Sequence, residues 1–225
     1  RINIDENYLK EAEKQLNKAI DISKEENIKS YLGVIYNRLG IINYYVGQTA
    51  KAIEAYKKSI DYFEEINDPV GTAGPLNNIG NIYSDYYDDF EKSYDYYNKG
   101  LAITNRYEIE EMSIFFLVNI GAMYMEDYKF ETAIDYLERV IRSSKNIENV
   151  NIGLLANINM ARIYIDMGEI DQAYRLHLYL KKAFQEKDIK SMELLAPYNS
   201  FLAYFYGYLG MHDKGLEYSA LAYDY

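Results

Sequence analysis

The side chains that could perform chemistry are few. His177 and His212 are the only imidazoles, and neither has a second ligand at metal-binding spacing. There is no cysteine, so a thiolate nucleophile, a thiolate metal site and a disulfide framework are all excluded. The acidic run from Asp85 to Glu91 holds four carboxylates in seven positions. It lacks the alternating ligands and turn glycine of a calcium loop, so a solvated turn between helices is expected. No nucleophile motif, phosphate-binding loop or dinucleotide glycine pattern occurs. The chain is therefore expected to be no enzyme and to need no cofactor or metal, and a phosphatase activity resting on an aspartate has no motif beneath it.

The remaining chemistry is recognition. Lys+Arg 24 against Asp+Glu 35 leaves a net charge of −11, and no basic cluster interrupts that balance to track a phosphate backbone. Nucleic acid is not an expected partner. The most apolar run, Ser113 to Met125, is broken by Asn119 and falls short of the roughly 20 residues that cross a bilayer. No membrane partner is expected, and the lack of cysteine favours a cytoplasmic location. A start on Arg1 and an end on a helical pattern at Tyr225 suggest a fragment of a longer protein. Abundant Ile, Asn, Lys and Tyr suggest an AT-rich bacterial genome.

The elements that would position any binding residue come from a repeat. Aligned on a small residue, the chain gives Leu39-Gly40, Ile79-Gly80, Ile120-Gly121, Met160-Ala161 and Leu202-Ala203, spaced by 40, 41, 40 and 42. Three residues further on stand Asn43, Tyr83, Tyr124, Tyr164 and Tyr206, and seven further on Gly47, Tyr87, Tyr128, Gly168 and Gly210. The first set is expected to pack inward, the second to mark a turn. A second group follows at offsets of four and seven: Ala52/Tyr56/Ser59, Ser93/Tyr97/Gly100, Ala133/Leu137/Val140, Ala173/His177/Leu180 and Gly215/Ser219/Ala222. Those offsets hold each trio on one helical face. A small residue at a helix crossing lets two backbones approach while the large neighbour fills the gap, so a bulky residue at Gly80 or Gly121 is expected to force a helix pair apart. Ala12, Leu16 and Ala19 repeat the second pattern alone, as a half unit.

The expected map is a lone helix at 5–25, then helix pairs at 28–46 and 49–66, 70–87 and 90–106, 109–127 and 130–146, 149–167 and 170–186, and 189–209 and 212–224. It contains no strand. Pro69 fits a first-turn proline, whereas Pro75 and Pro197 are expected to kink or restart their helices.

These residues resemble the tetratricopeptide repeat, whose succession of Leu-Gly, Tyr, Ala, Phe/Tyr and Ala is matched in five consecutive units over nearly the whole chain. The match departs in its period of about 40 against the usual 34, in the absence of Trp, and in one inserted residue around Tyr87 to Asp89. The long period is similar to that of kinesin light chains and bacterial Rap-type peptide-sensing regulators. The resemblance implies an all-α fold, a right-handed α-solenoid of antiparallel helix pairs forming one array over 1–225: the half repeat at 5–25, then five repeats starting near 28, 70, 109, 149 and 189.

The resemblance also implies a concave surface lined by the first helix of each pair. Carried over residue by residue, its facing positions are Asn37, Asn77, Val118, Ile158 and Ser200; then Arg38, Asn78, Asn119, Asn159 and Phe201; then Ile41, Asn81, Ala122, Arg162 and Tyr204; and, at the far end, Tyr45, Asp85, Glu126, Asp166 and Tyr208. A primary amide both donates and accepts, so Asn37, Asn77, Asn78, Asn81, Asn119 and Asn159 suit the backbone of an extended peptide. Arg38 and Arg162 suit an acidic side chain or terminal carboxylate. Tyr83, Tyr124 and Tyr164 are assigned to packing. The implied function is a protein- or peptide-binding module, a regulatory or sensory region acting on an attached output domain in bacterial signal transduction. The alternative is an oligomerisation or assembly scaffold that self-associates through aromatics such as Tyr204, Tyr208, Tyr223 and Tyr225.

Overall fold

A computed structural model describes residues 6–186, 189 and 191–223, with eleven α-helices and no strand among them. The helices are α1 (Glu6–Glu25), α2 (Lys29–Tyr45), α3 (Thr49–Glu65), α4 (Ala73–Asp85), α5 (Phe90–Arg106), α6 (Glu110–Glu126), α7 (Phe130–Asn146), α8 (Val150–Asp166), α9 (Ile170–Glu186), α10 (Met192–Tyr208) and α11 (His212–Tyr223). Each agrees with the expected element to within a few residues. Tyr225, named above as a self-association residue, lies outside the described residues.

The chain divides into two compact units, residues 1–116 and 117–225, with the boundary inside α6. In the first unit, Ile20, Leu32, Ile35 and Tyr36 form one buried cluster and Ala52, Tyr56, Ile79 and Ile82 another. In the second, Leu154, Ile158, Ala161, Leu180, Leu194, Phe201 and Phe205 belong to a single larger cluster.

Helix ends share one mechanism. The second residue after the helix enters the left-handed region at Asn27, Gly47, Asn67, Glu108, Tyr128, Glu148, Gly168 and Gly210. The next amide then reaches back five residues, as in Ile28 N–H to Ser23 C=O, Lys129 N–H to Tyr124 C=O and Met211 N–H to Tyr206 C=O. This closure satisfies carbonyls that the helix leaves open. One turn differs. The inserted residue moves the left-handed position from the expected Tyr87 to Asp88, and Asp89 N–H reaches six residues back to Tyr83 C=O. Asp89 then caps α5 by accepting from Lys92 N–H.

Small-to-large packing follows the expected register, more tightly at Gly80 than at Gly121. A Cβ on Gly80 would stand 2.5 Å from Tyr97 Cε1, but on Gly121 it would stand 3.7 Å from Leu137, an ordinary contact. Gly121 therefore has room for a methyl because its large partner is Leu rather than Tyr. Of the two prolines expected to kink or restart a helix, Pro75 does so and Pro197 differs. The second pair opens with a 3-10 turn, Val70–Thr72, before Pro75 sits in the first turn of α4, whereas α10 runs through Pro197 unbroken. Pro197 is the sixth residue of α10, so only one helical hydrogen bond near the free end is lost.

The tyrosines stack in a periodic way. Tyr83 lies on Tyr96 at 5.6 Å, Tyr124 on Tyr136 at 5.7 Å, and Tyr206 on Tyr218 at 5.5 Å, in each case first helix on second helix of one pair. Cations cover the outer faces: Lys92 over Tyr83, Lys99 over Tyr96, Lys129 over Tyr124, Arg139 over Tyr136 and Lys214 over Tyr206. Each stack contributes about 0.5–1.5 kcal/mol beyond its buried area. Tyr164, the fourth tyrosine in this register, instead packs against the large core cluster, as does Leu176.

Candidate functional site

On the first unit, α2 presents Asn37 half-buried and Arg38 exposed, while α4 presents Asn77, Asn78 and Asn81, all half-buried. Asn78 Nδ2 donates to Asn37 Oδ1 at 3.1 Å, joining the first helices of successive repeats. A Cβ on Gly74 would sit 3.6 Å from Asn37 Nδ2, an ordinary contact, so the clip does not depend on that glycine. The bond uses one of the two Asn78 amide hydrogens and one Asn37 acceptor, leaving Asn37 Nδ2 and Asn78 Oδ1 able to meet a guest. Asn81 Oδ1 accepts from the Tyr97 hydroxyl at 2.7 Å, an internal bond that holds the ring over Gly80.

On the second unit, Asn119 on α6 and Asn159 on α8 are half-buried and Arg162 is exposed. Arg162 makes no ion pair among the described residues. Two carried-over positions do not face solvent: Ile158 is 1% and Phe201 0% exposed, both in the core. A facing register copied from a resemblance fails there because the local side chain is large and apolar, and its burial dominates. Tyr204 and Asp166 meet across repeats, with the Tyr204 hydroxyl donating to Asp166 Oδ1 at 2.6 Å. That bond, together with partial burial, raises the Tyr204 phenol above its ordinary value, against the opposing charge of Arg162.

Near these residues, Tyr128, Phe130, Ile165, Asp166, Met167, Gly168, Tyr204 and Tyr208 line a cavity of about 630 Å³. Sequence reasoning placed Tyr128 and Gly168 at turns and missed Phe130 and Met167, whose approach depends on how repeats stack. The aromatics Tyr96, Tyr136 and Tyr218 were also missed, although each stands three residues after the small residue of its second helix and so carried a periodic signal. His177 is buried among Tyr174, Tyr198, Phe201, Phe205 and Tyr206. Burial, helped by Lys181, pushes its pKa down, as suits a packing imidazole. No three-residue group that could hold a metal occurs among the described residues, nor does any helix long and apolar enough to cross a membrane.

A family profile described as "Tetratricopeptide repeat" matches residues 34–65, which span most of α2 and all of α3. The fold is that of a tetratricopeptide-repeat array. The human outer dynein arm-docking complex subunit 4 is 23% identical over 170 residues, 75% of this chain and 25% of that protein. The chain thus spans about a quarter of the length of the curated relatives it matches. Among solved structures, a signal-transduction ATPase with a tetratricopeptide-repeat sensor from Pyrococcus horikoshii is similar at 22% identity and a TM-score of 0.78, over 96% of this chain and 34% of that one. A Rap protein complexed with competence and sporulation factor is similar at 16% identity and a TM-score of 0.66, over 98% of this chain and 66% of that one. At these identities the likeness of structure is one of fold. Arrays of this fold are protein-interaction modules.

Proposed function

We propose that the chain is a protein- or peptide-binding repeat module that acts as the regulatory or sensory part of a bacterial signalling protein, without catalytic chemistry of its own. The observation carrying this reading is the set of half-buried amides and exposed guanidinium groups that the first helices present at repeat spacing: Asn37, Arg38, Asn77, Asn78 and Asn81 in one unit, Asn119, Asn159 and Arg162 in the other. Half-burial shields a guest's hydrogen bonds while leaving the amides reachable. The Asn37–Asn78 clip fixes two of these amides before a guest arrives, which lowers the ordering cost of binding. At about 0.5–1.5 kcal/mol net per hydrogen bond, several such contacts are needed for useful affinity. A sensor ATPase and a peptide-bound Rap protein sharing this fold support the signalling reading.

The scaffold alternative rests on α11, whose Leu216 and Tyr223 are 71% and 88% exposed. One experiment separates the two. A peptide array is probed with the wild type and with an Asn159→Ala/Arg162→Ala variant, and light scattering reports mass. Ligands ending in or rich in carboxylates should bind the wild type and lose at least ten-fold in the variant at unchanged helicity. Unchanged binding, or a ligand-free dimer that captures nothing, would sink the peptide-module reading.

A further inference from the structure

We propose that the rim cavity of the second unit is a separate binding site that takes a lysine or arginine side chain of a partner polypeptide. It lies toward the turn end of the helix pairs and draws on Asp166, Tyr204 and Tyr208 of the facing positions rather than on the amides. The wall is aromatic, lined by Tyr128, Phe130, Tyr204 and Tyr208, with Tyr128 and Phe130 edge-to-face at 5.9 Å. Ring faces carry negative potential and attract ammonium and guanidinium groups.

The only charged residue in the lining is negative. Asp166 uses Oδ1 to accept from Tyr204, and its carboxylate forms no ion pair among the described residues. The nearest turn cation, Lys129, is held by Asp127 at 2.7 Å and lies over the Tyr124 ring. Arg162 stands one turn before Asp166 and acts on the Tyr204 hydroxyl, but is not part of the lining. Three helices also present their C-terminal ends here: α6 ends at Glu126, α8 at Asp166 and α10 at Tyr208. Those ends carry partial negative charge and favour a cation.

A second observation points the same way. Tyr128 has φ of +56°, the one aromatic among the described left-handed residues, at a turn position where three other repeats place Gly47, Gly168 and Gly210. Glycine is the unstrained residue at such a position. Exposed Asp88 and Glu108 adopt the same conformation, so what sets Tyr128 apart is an aromatic ring, 80% exposed, in the wall of the cavity.

The test is an NMR titration of tyrosine ring resonances with the capped peptide Gly-Lys-Gly-Arg-Gly, its Glu/Asp counterpart, and choline. The basic peptide should shift Tyr128, Tyr204 and Tyr208, and bind at least ten-fold tighter than either control. Asp166→Asn keeps the acceptor for Tyr204 and removes only the charge, and should weaken the basic peptide by ten-fold or more. Tyr208→Ala should weaken it by about three- to five-fold. Tyr128→Gly should fold at least as well as the wild type yet bind about three-fold more weakly, so lost folding cannot imitate lost recognition. Arg162→Ala should leave the basic peptide bound, which separates this site from the amide positions tested above. Equal binding of the acidic peptide or choline, or an Asp166→Asn variant with unchanged affinity, would overturn the assignment.

Discussion

Replacing Gly80 by Ala tests whether the small-large alternation sets how closely a helix pair approaches. The added Cβ would stand 2.5 and 2.6 Å from Tyr97 Cε1 and Cδ1, well inside contact distance. Tyr97 cannot swing away freely, because it is 3% exposed and its hydroxyl is bonded to Asn81. Overpacking of this kind costs about 1–3 kcal/mol. The gain from replacing a mid-helix glycine by alanine is about 1 kcal/mol, so the net loss should reach about 2 kcal/mol. Gly121→Ala collects the same helix gain with its nearest new contact at 3.4 Å, and should be neutral or stabilising. The difference between the two variants is then the overpacking term alone.

Urea unfolding followed by circular dichroism and tyrosine fluorescence measures both. The decisive arm is the double variant Gly80→Ala/Tyr97→Leu, which rebuilds in the second repeat the Gly121/Leu137 situation with room for the methyl. It should be more stable than the sum of its single changes by about 1–2 kcal/mol, within the range of contacting pairs. If Gly80→Ala matches Gly121→Ala, or the double variant is merely additive, close approach at the glycine is not what the repeat encodes.

Three further outcomes follow from the same packing. Tyr128→Gly should raise stability by about 1 kcal/mol, since glycine adopts the left-handed turn without the steric penalty, as read by urea midpoint. Tyr124→Leu and Tyr136→Leu, taken singly and together, should show a coupling of about 0.5–1.5 kcal/mol from their stack at 5.7 Å, and a coupling near zero would reduce the ring pairs to simple burial. His177 is pushed below its ordinary value by burial, so the unfolded chain binds its proton first. The stability it contributes is therefore present above about pH 6.5 and lost as pH falls below it. The gap between wild type and His177→Gln in unfolding free energy should shrink from pH 7.5 to 5.5, and a constant gap would contradict the buried neutral imidazole.

Helix positions were legible because they depend on contacts inside one repeat. The offsets of four and seven that place Ala52, Tyr56 and Ser59 on one face need only the helical period, and all three are buried. The turns were legible through Gly47, Gly168 and Gly210, but the second repeat needed Asp88 because an inserted residue shifts the closure by one. What a spacing cannot encode is the rotation between neighbouring helix pairs. That rotation brings Asn78 onto Asn37 and Tyr204 onto Asp166, and it carries Phe130 and Met167 to the same cavity as Tyr208. It also lets Ile158 and Phe201 turn inward at positions where the repeat pattern points outward.

A repeat protein carries its own controls, because the same structural position is solved several times in one chain. At the three-after position Tyr83, Tyr124 and Tyr206 each find a tyrosine across the pair, whereas Asn43 and Tyr164 stand opposite Ala55 and Leu176 in the corresponding register. The stack is thus an optional way to fill the gap, and the fold survives without it. At the turn position the logic runs the other way. Gly47, Gly168 and Gly210 show the unstrained solution, and Tyr128 departs from it at a cost while remaining 80% exposed. Asp88 and Glu108 are also left-handed, exposed and not glycine, so what distinguishes Tyr128 is its ring. That ring stands beside Asp166, Tyr204 and Tyr208 on the surface a cationic side chain would meet.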